Sequence, residues 1–304
     1  MPTNGAGSPP RRPCLLIVDG HAYAYRAFHA IARLNAPDGA PTNAIYGFIK
    51  MLGKLRASLQ PDYVAVIWDG GLAAERLAAL PGYKAQRPPM PDDLRVQFDG
   101  INAGLDAIGV AWFCQEGVEA DDWIAVLSRR AAEQGVDSVI ASADKDFMQL
   151  VSPQVGLINP NDKSETIWRE ERVRDKSGVA PSQIVDWLSL IGDSVDNIPG
   201  VSGVGPKTAA DLLRQFGSVE TLYQRLDEVK SDRVRAALRA AAEAVRRNQQ
   251  LIRLWDDLPL DVPLEKLQPG PGDPARQREL QQRWGFKSLL APAPAEPLRQ
   301  GELL

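Results

Sequence analysis

The segment CLLIVDG (14–20) decides how this chain is read, because a short apolar run ends abruptly on an aspartate and a glycine. YVAVIW (63–68) runs in the same way into Asp69-Gly70, and SVIAS (138–142) stops just before Asp144. A fourth run, VAWFC (110–114), leads through QEGV into the acids of EADD (119–122). Between these runs lie stretches with helical spacing at about 22–33, 43–59, 92–108 and 119–134. Strands without a polar face, alternating with helices, predict an α/β fold with a mostly parallel central sheet flanked by helices. Ligands of such sheets bind beyond the carboxyl ends of the strands, which is where these acids fall.

The acids come in knots. GVEADDW (117–123) holds Glu119, Asp121 and Asp122; SADKDF (142–147) holds Asp144 and Asp146; GDSVDN (192–197) holds Asp193 and Asp196. At an effective dielectric near 20, each pair about 4 Å apart costs about 4 kcal/mol of repulsion. GVEADDW alone is explained equally well by helix capping, since carboxylates are favoured at a helix N-terminus. For the whole set, with Asp19 and Asp69 added, capping no longer suffices and a carboxylate metal site is expected. The only cysteines are Cys14 and Cys114 and the only histidines His21 and His29, which leaves no zinc cluster. An all-oxygen donor set favours Mg²⁺, Mn²⁺ or Ca²⁺.

The chain has 304 residues, 44% hydrophobic and 24% charged, the profile of one large or two closely joined domains. It contains no run of about 18 apolar residues, so no membrane span is expected. The opening MPTNGAGSPPRRP (1–13) lacks an apolar secretory core and reads as a disordered arm. Its Arg11 and Arg12 suit a solvated tail better than a nucleic-acid contact. The thiols fit a reduced, cytoplasmic compartment. A formal net charge of −4 argues against a nucleic-acid partner until divalent ions are added to the acid cluster, which reverses the local field.

The α/β part is expected over 14–180, with an arch at about 70–95. A helical region follows over 181–265, then a linker and helix over 266–290 and a flexible tail over 291–304. Within the helical region, IPGVSGVGPKTA (198–209) packs three glycines before Pro206 and Lys207. Pro206 suits the first helical position, and the unpaired amides there suit a phosphate. An ordinary helix–helix connection is the competing reading.

Taken together, VDGHAYAYRAFHA, YKAQRPPMPDDLR, GVEADD, ADKD and GDSVDNIPGVSGVGPKTA resemble the bacterial 5′-to-3′ exonuclease and flap endonuclease family. That family includes the amino-terminal nuclease domain of DNA polymerase I. The resemblance runs from about 14 to 228, more weakly to RWGFKSLL, and is to a free-standing version. It implies a PIN-like nuclease core with a helix-hairpin-helix-type DNA-binding region. It further implies divalent-metal-dependent hydrolysis of DNA phosphodiester bonds at 5′ ends and flaps, including RNA primer removal, in replication and repair.

Carried onto this sequence, the resemblance makes Asp19, Asp69, Glu119, Asp121, Asp122, Asp144, Asp146, Asp193 and Asp196 metal ligands for two or more Mg²⁺ sites, with Mn²⁺ able to substitute. It makes Lys84, Arg87 and Arg26 catalytic cations at the phosphate. It assigns DNA contacts to Tyr25, Arg76, Gly200, Val201, Gly203, Val204, Gly205, Lys207 and Thr208, with K⁺ at the glycine turn. Tyr25 fits a core aromatic nearly as well as a base-stacking platform. The implied partners are branched or flapped DNA, RNA/DNA hybrid, and replication or repair proteins, for a monomer in the cytoplasm at the nucleoid. The 291–304 tail suits an inert tail better than a docking peptide. The arch departs from the family pattern: it is Ala/Gly-rich, has Glu75 beside Arg76, and is broken at Pro81-Gly82, while Ala143 precedes the DKD acids. A non-catalytic DNA-junction binder on the same fold is the alternative, and loss of a metal acid would favour it; none is lost.

Overall fold

The computed structural model describes residues 11–162, 166–259 and 262–286. The expected arm at 1–10 and tail at 291–304 lie outside the described residues, as does the weak match beyond 286. Arg11 and Arg12 are tied to the body, through Asp62 at 3.0 Å and Asp137 at 3.6 Å, rather than free in a solvated arm.

Five strands build one parallel sheet: β1 (Cys14–Asp19), β2 (Tyr63–Ile67), β3 (Ala111–Phe113), β4 (Asp137–Ala141) and β5 (Val155–Ile158), in the order β3-β2-β1-β4-β5. The alternation within CLLIV now has a meaning. Leu15 and Ile17 point into one core with Ala65 and Ile67, while Leu16 and Val18 point into a second core with Val64 and Val66. A strand buried on both faces cannot show a polar side, which is why these runs read as uniformly apolar. Since β1 is central and the chain turns to β2 on one side and β4 on the other, the carboxyl ends of β1 and β4 border the switch point.

Helices α1 (Gly20–Ala30), α2 (Asn43–Leu59) and α5 (Phe98–Ala107) cover one face of the sheet. Between α2 and α5 come α3 (Ala74–Ala79) and α4 (Asp92–Arg95), so the helix expected over 92–108 is in two pieces. The other face is covered by α6 (Ala120–Glu133), then by α7 (Glu170–Ser177), α8 (Ile184–Ile191), α9 (Pro206–Phe216), α10 (Val219–Gln224), α11 (Asp232–Ala240) and α12 (Ala242–Ile252). The last helix, α13 (Pro274–Trp284), returns to the first face through Leu280 and Trp284. Within the helical region expected over 181–265, α11 and α12 are separated at Ala241. Strand β5 and helix α7 were not expected: β5 is four residues long with Gly156 inside, and α7 is almost wholly polar.

A two-residue pairing, β6 (Gly192–Asp193) with β7 (Ile198–Pro199), folds the GDSVDN acids back on themselves and leads into the glycine turn. Two buried side chains fix that turn. Asn248 on α12 donates to the carbonyls of Ser189 at 3.1 Å and Pro199 at 2.7 Å. Trp187 on α8 donates to the carbonyl of Pro206 at 3.0 Å. Removing a buried donor leaves its acceptors unpaired, at a cost of about 1–3 kcal/mol. Asn248→Ala is therefore expected to lower the urea-unfolding free energy by about that amount, and an unchanged midpoint would refute the assignment.

Candidate metal centre and nucleic-acid interface

A cleft of about 750 Å³ opens at the carboxyl edge of β1, β2 and β4, lined among others by Asp19, Asp69, Asp121, Asp144, Asp193 and Asp196, with Lys84, Arg87 and Tyr25 on its walls. Asp19 ends β1 and caps α1, accepting from the Ala22 amide at 3.0 Å and from Ser142 Oγ at 2.7 Å. Burial pushes its carboxyl up to about 6, even with those two donors opposing and Asp144 and Asp69 adding to the rise. Asp144 accepts from the Asp146 amide at 2.9 Å and so tightens the DKD turn. His21 accepts from the Asp69 amide at 3.1 Å through Nδ1.

Asp146, Asp193 and Asp196 are buried, and among the described residues they offer oxygens that all lie within 4.8 Å of one another. Burial, followed by repulsion from Asp144, Asp196 and Asp193, raises Asp146 well above the usual carboxylate range. Asp146 Oδ1 is buried and has no hydrogen-bond partner among the described residues. Nearby cations relieve only part of the charge: Lys145 reaches Asp193 at 3.2 Å and Arg87 reaches Asp196 at 2.6 Å. Three buried carboxylates brought together, one of them with an orphaned oxygen, fit a hard divalent cation, and among the described residues no histidine or cysteine joins the cluster.

The remaining acids take another part. Glu119 is the N-cap residue of α6 but its side chain makes no cap bond, while Asp121 and Asp122 stand in the first turn, where the helix N-terminus favours carboxylates. The Glu119 carboxylate, fully buried, is held by Arg76 at 2.9 Å, by Lys84, and by Tyr83 Oη at 3.3 Å. Burial would raise Glu119, but Lys84 and Arg76 outweigh it and hold the group below its ordinary value. Asp122 receives both guanidinium nitrogens of Arg76, at 2.6 and 2.8 Å, and the Trp255 amide at 2.8 Å. In this structure both acids therefore serve as counter-charges behind the cleft.

Arg76 requires a correction. It is 2% exposed, donates also to the carbonyls of Leu251 at 3.2 Å and Arg253 at 3.2 Å, and stacks on Trp255 at 4.4 Å. Such a guanidinium cannot reach a DNA phosphate without dismantling the α3–α6–α12 junction. Val201 and Val204 need correcting too: their side chains are buried, and their amides are spent on the carbonyls of Leu190 at 2.8 Å and Val201 at 3.0 Å. Gly203, Gly205 and Lys207 are exposed, and among the described residues the Gly203 and Gly205 amides have no protein acceptor. Gly200 is needed for the fold itself, because a Cβ there would lie 2.2 Å from the Ile191 carbonyl oxygen. Arg26 is exposed on α1 and is not part of the cleft lining.

Lys84 faces the cleft but is only 6% exposed. Burial alone would lower its ammonium, but Asp121, Tyr83, Glu119 and Asp196 together raise it, so it stays charged. Sequence reasoning missed Ser142, Tyr83 and Lys145; each sits inside a quoted motif, but only the fold shows which acid it serves. Breaking a buried ion pair by removing one partner typically costs about 3–5 kcal/mol. Arg76→Ala is expected to destabilise the protein by about that much in urea unfolding, whereas a DNA-contact residue would leave the midpoint unchanged.

Comparison with known proteins follows the geometry. Residues 14–178 match the family described as 5'-3' exonuclease, N-terminal resolvase-like domain, and residues 179–275 match 5'-3' exonuclease, C-terminal SAM fold. The chain is 39% identical to a 5'-3' exonuclease of Aquifex aeolicus over 276 residues, covering 91% of this chain and 93% of that protein. It is 41% identical to DNA polymerase I of Pseudomonas aeruginosa over 301 residues, covering 95% of this chain but 32% of that longer protein. Among solved structures, the T5 5'-exonuclease with bound zinc superposes with a TM-score of 0.68 at 23% identity, covering 89% of this chain and 99% of that one. The catalytic core of Rad2 in complex with DNA substrate superposes with a TM-score of 0.61 at 16% identity, covering 90% and 88%. At those identities the two structures speak for the fold, while the sequence matches over both halves carry the family. This chain belongs to the 5'-3' exonuclease family.

Proposed function

We propose that this protein is a divalent-metal-dependent, structure-selective 5′ nuclease that hydrolyses phosphodiester bonds of DNA at 5′ ends and at flaps. The observation that carries the reading is the meeting of buried Asp146, Asp193 and Asp196, of which Asp193 and Asp196 line the same cleft as Lys84 and Arg87. Asp146, Asp193 and Asp196 would hold one cation, and Asp19, Asp69, Asp121 and Asp144 would hold a second. When bound, Mg²⁺, or Mn²⁺ in its place, supplies charge neutralisation at the phosphate and a water of lowered pKa.

The chain's own groups do the rest. Lys84 and Arg87 stand on the cleft wall, where their charge opposes the negative charge that develops on a phosphate oxygen. Tyr25 gives the cleft an aromatic wall on which a base can stack, a contact worth about 1–3 kcal/mol. Arg26, exposed on the same helix, suits a neighbouring phosphate. The amides of Gly203 and Gly205, with Lys207 and Thr208 at the start of α9, grip the duplex backbone, where K⁺ also fits. Such contacts carry no sequence information, so shape decides the substrate. Branched or flapped DNA, and RNA/DNA hybrid at a primer, present the required junction, and replication and repair in the cytoplasm supply them to a monomer.

Cleavage of a labelled 5′-flap duplex, by the wild type and by the double variant Asp144→Asn/Asp146→Asn, tests the reading. Cutting near the junction is expected only from the wild type, only with Mg²⁺ or Mn²⁺, and not with EDTA. Tight junction binding by a wild type that never cuts would overturn it and make the protein a non-catalytic binder.

A further inference from the structure

The cations of the cleft wall belong to a short segment, 82–87, which is fastened to the loop that carries Asp193 and Asp196. Lys84 lies in the left-handed region, at φ +55°, where a side chain is strained. A strained residue persists only when its surroundings over-determine it. Here the surroundings are identifiable. The Lys84 amide donates to the Asp196 carbonyl at 3.0 Å, and Arg87 reaches the Asp196 carboxylate at 2.6 Å.

Next in sequence stands Asn197, also left-handed at φ +57°, and its Nδ2 donates to the Gly82 carbonyl at 2.8 Å. Asparagine is one of the few residues that tolerates this backbone while carrying an amide donor. The fit is reciprocal, since a Cβ on Gly82 would lie 2.8 Å from Asn197 Nδ2. Pro81-Gly82, which on sequence looks like a mere break in the arch, is thus the place where the arch must let Asn197 approach.

We infer that Asn197 is a positioning residue: it latches the 82–87 segment of the arch to the acid loop, and so sets Lys84 and Arg87 at a fixed distance from Asp193 and Asp196. The inference rests on the reading of Lys84 and Arg87 as the cations that meet the phosphate. The latch joins the two parts of the site, the cationic segment and the acid loop. A displacement of about 1 Å at such a place costs about 100-fold in rate without weakening grip on the substrate.

The test uses Asn197→Gly, which keeps the left-handed backbone and removes the amide, and Gly82→Ala, which pushes the amide away from the other side. Single-turnover flap cleavage is expected to fall about 100-fold in each, with flap affinity in Ca²⁺ and the melting temperature held near wild type. Combining the two is expected to give no further loss, because both break one contact, and adding Asn197→Gly to Lys84→Ala/Arg87→Ala is expected to give none, because the latch acts on the rate only through those cations. Hydrogen exchange over 82–87 reads the latch without any chemistry and is expected to quicken in Asn197→Gly. Wild-type cleavage by Asn197→Gly, full additivity with Lys84→Ala/Arg87→Ala, or unchanged exchange over 82–87 would each overturn the inference. A wild type that cuts no flap would instead sink the nuclease reading and the positioning role that rests on it, and exchange would still decide whether the latch exists.

Discussion

Carboxylates withdrawn from water repel one another, and both halves of this protein are arranged around that repulsion. The sheet half sends Asp19, Asp69, Asp144 and Asp146 to the carboxyl edge of its strands, and the helical half folds Asp193 and Asp196 over the same edge. The protein answers with cations in two layers. Arg76 and Lys84 neutralise Glu119 and Asp122 inside the wall, while Arg87 and Lys145 only partly offset Asp196 and Asp193. Asp146 keeps an oxygen that has no hydrogen-bond partner among the described residues.

That division of labour was not written in the spacing of the acids. Glu119, Asp121 and Asp122 are neighbours in one motif, yet Asp121 faces the cleft while the other two face Arg76, more than forty residues earlier in the chain. The motif placed all of them at the right edge of the sheet, because each follows an apolar strand or opens a helix beside it. Local sequence cannot say which carboxylate will meet a distant guanidinium. For the same reason the resemblance alone could make Arg76 a DNA contact, because nothing local in the chain announces that α12 and Trp255 close over it.

The architecture was legible where burial is two-sided. The four apolar runs are β1 to β4; β1, β2 and β4 lie between two layers of helices and have no polar face, while β3, at the sheet edge, is half-buried. β5, with Gly156 in its centre, and α7, exposed and charged, depend on their neighbours more than on their own pattern. The glycine turn was legible as a turn, but the roles within it separate only in three dimensions. Val201 and Val204 anchor it in the core, Gly200 lets the backbone pass Ile191, and Gly203 with Gly205 face outward.

The central claim is that one cation site is shared by acids from the two halves, Asp146 from the sheet and Asp193 and Asp196 from the helical region. Calorimetric titration of the protein with Mn²⁺, for the wild type and for Asp146→Ala and Asp193→Asn, addresses it most directly. The account predicts saturable binding by the wild type and the loss of the same site in both variants. Mn²⁺ binding of equal stoichiometry and affinity in all three proteins would contradict it.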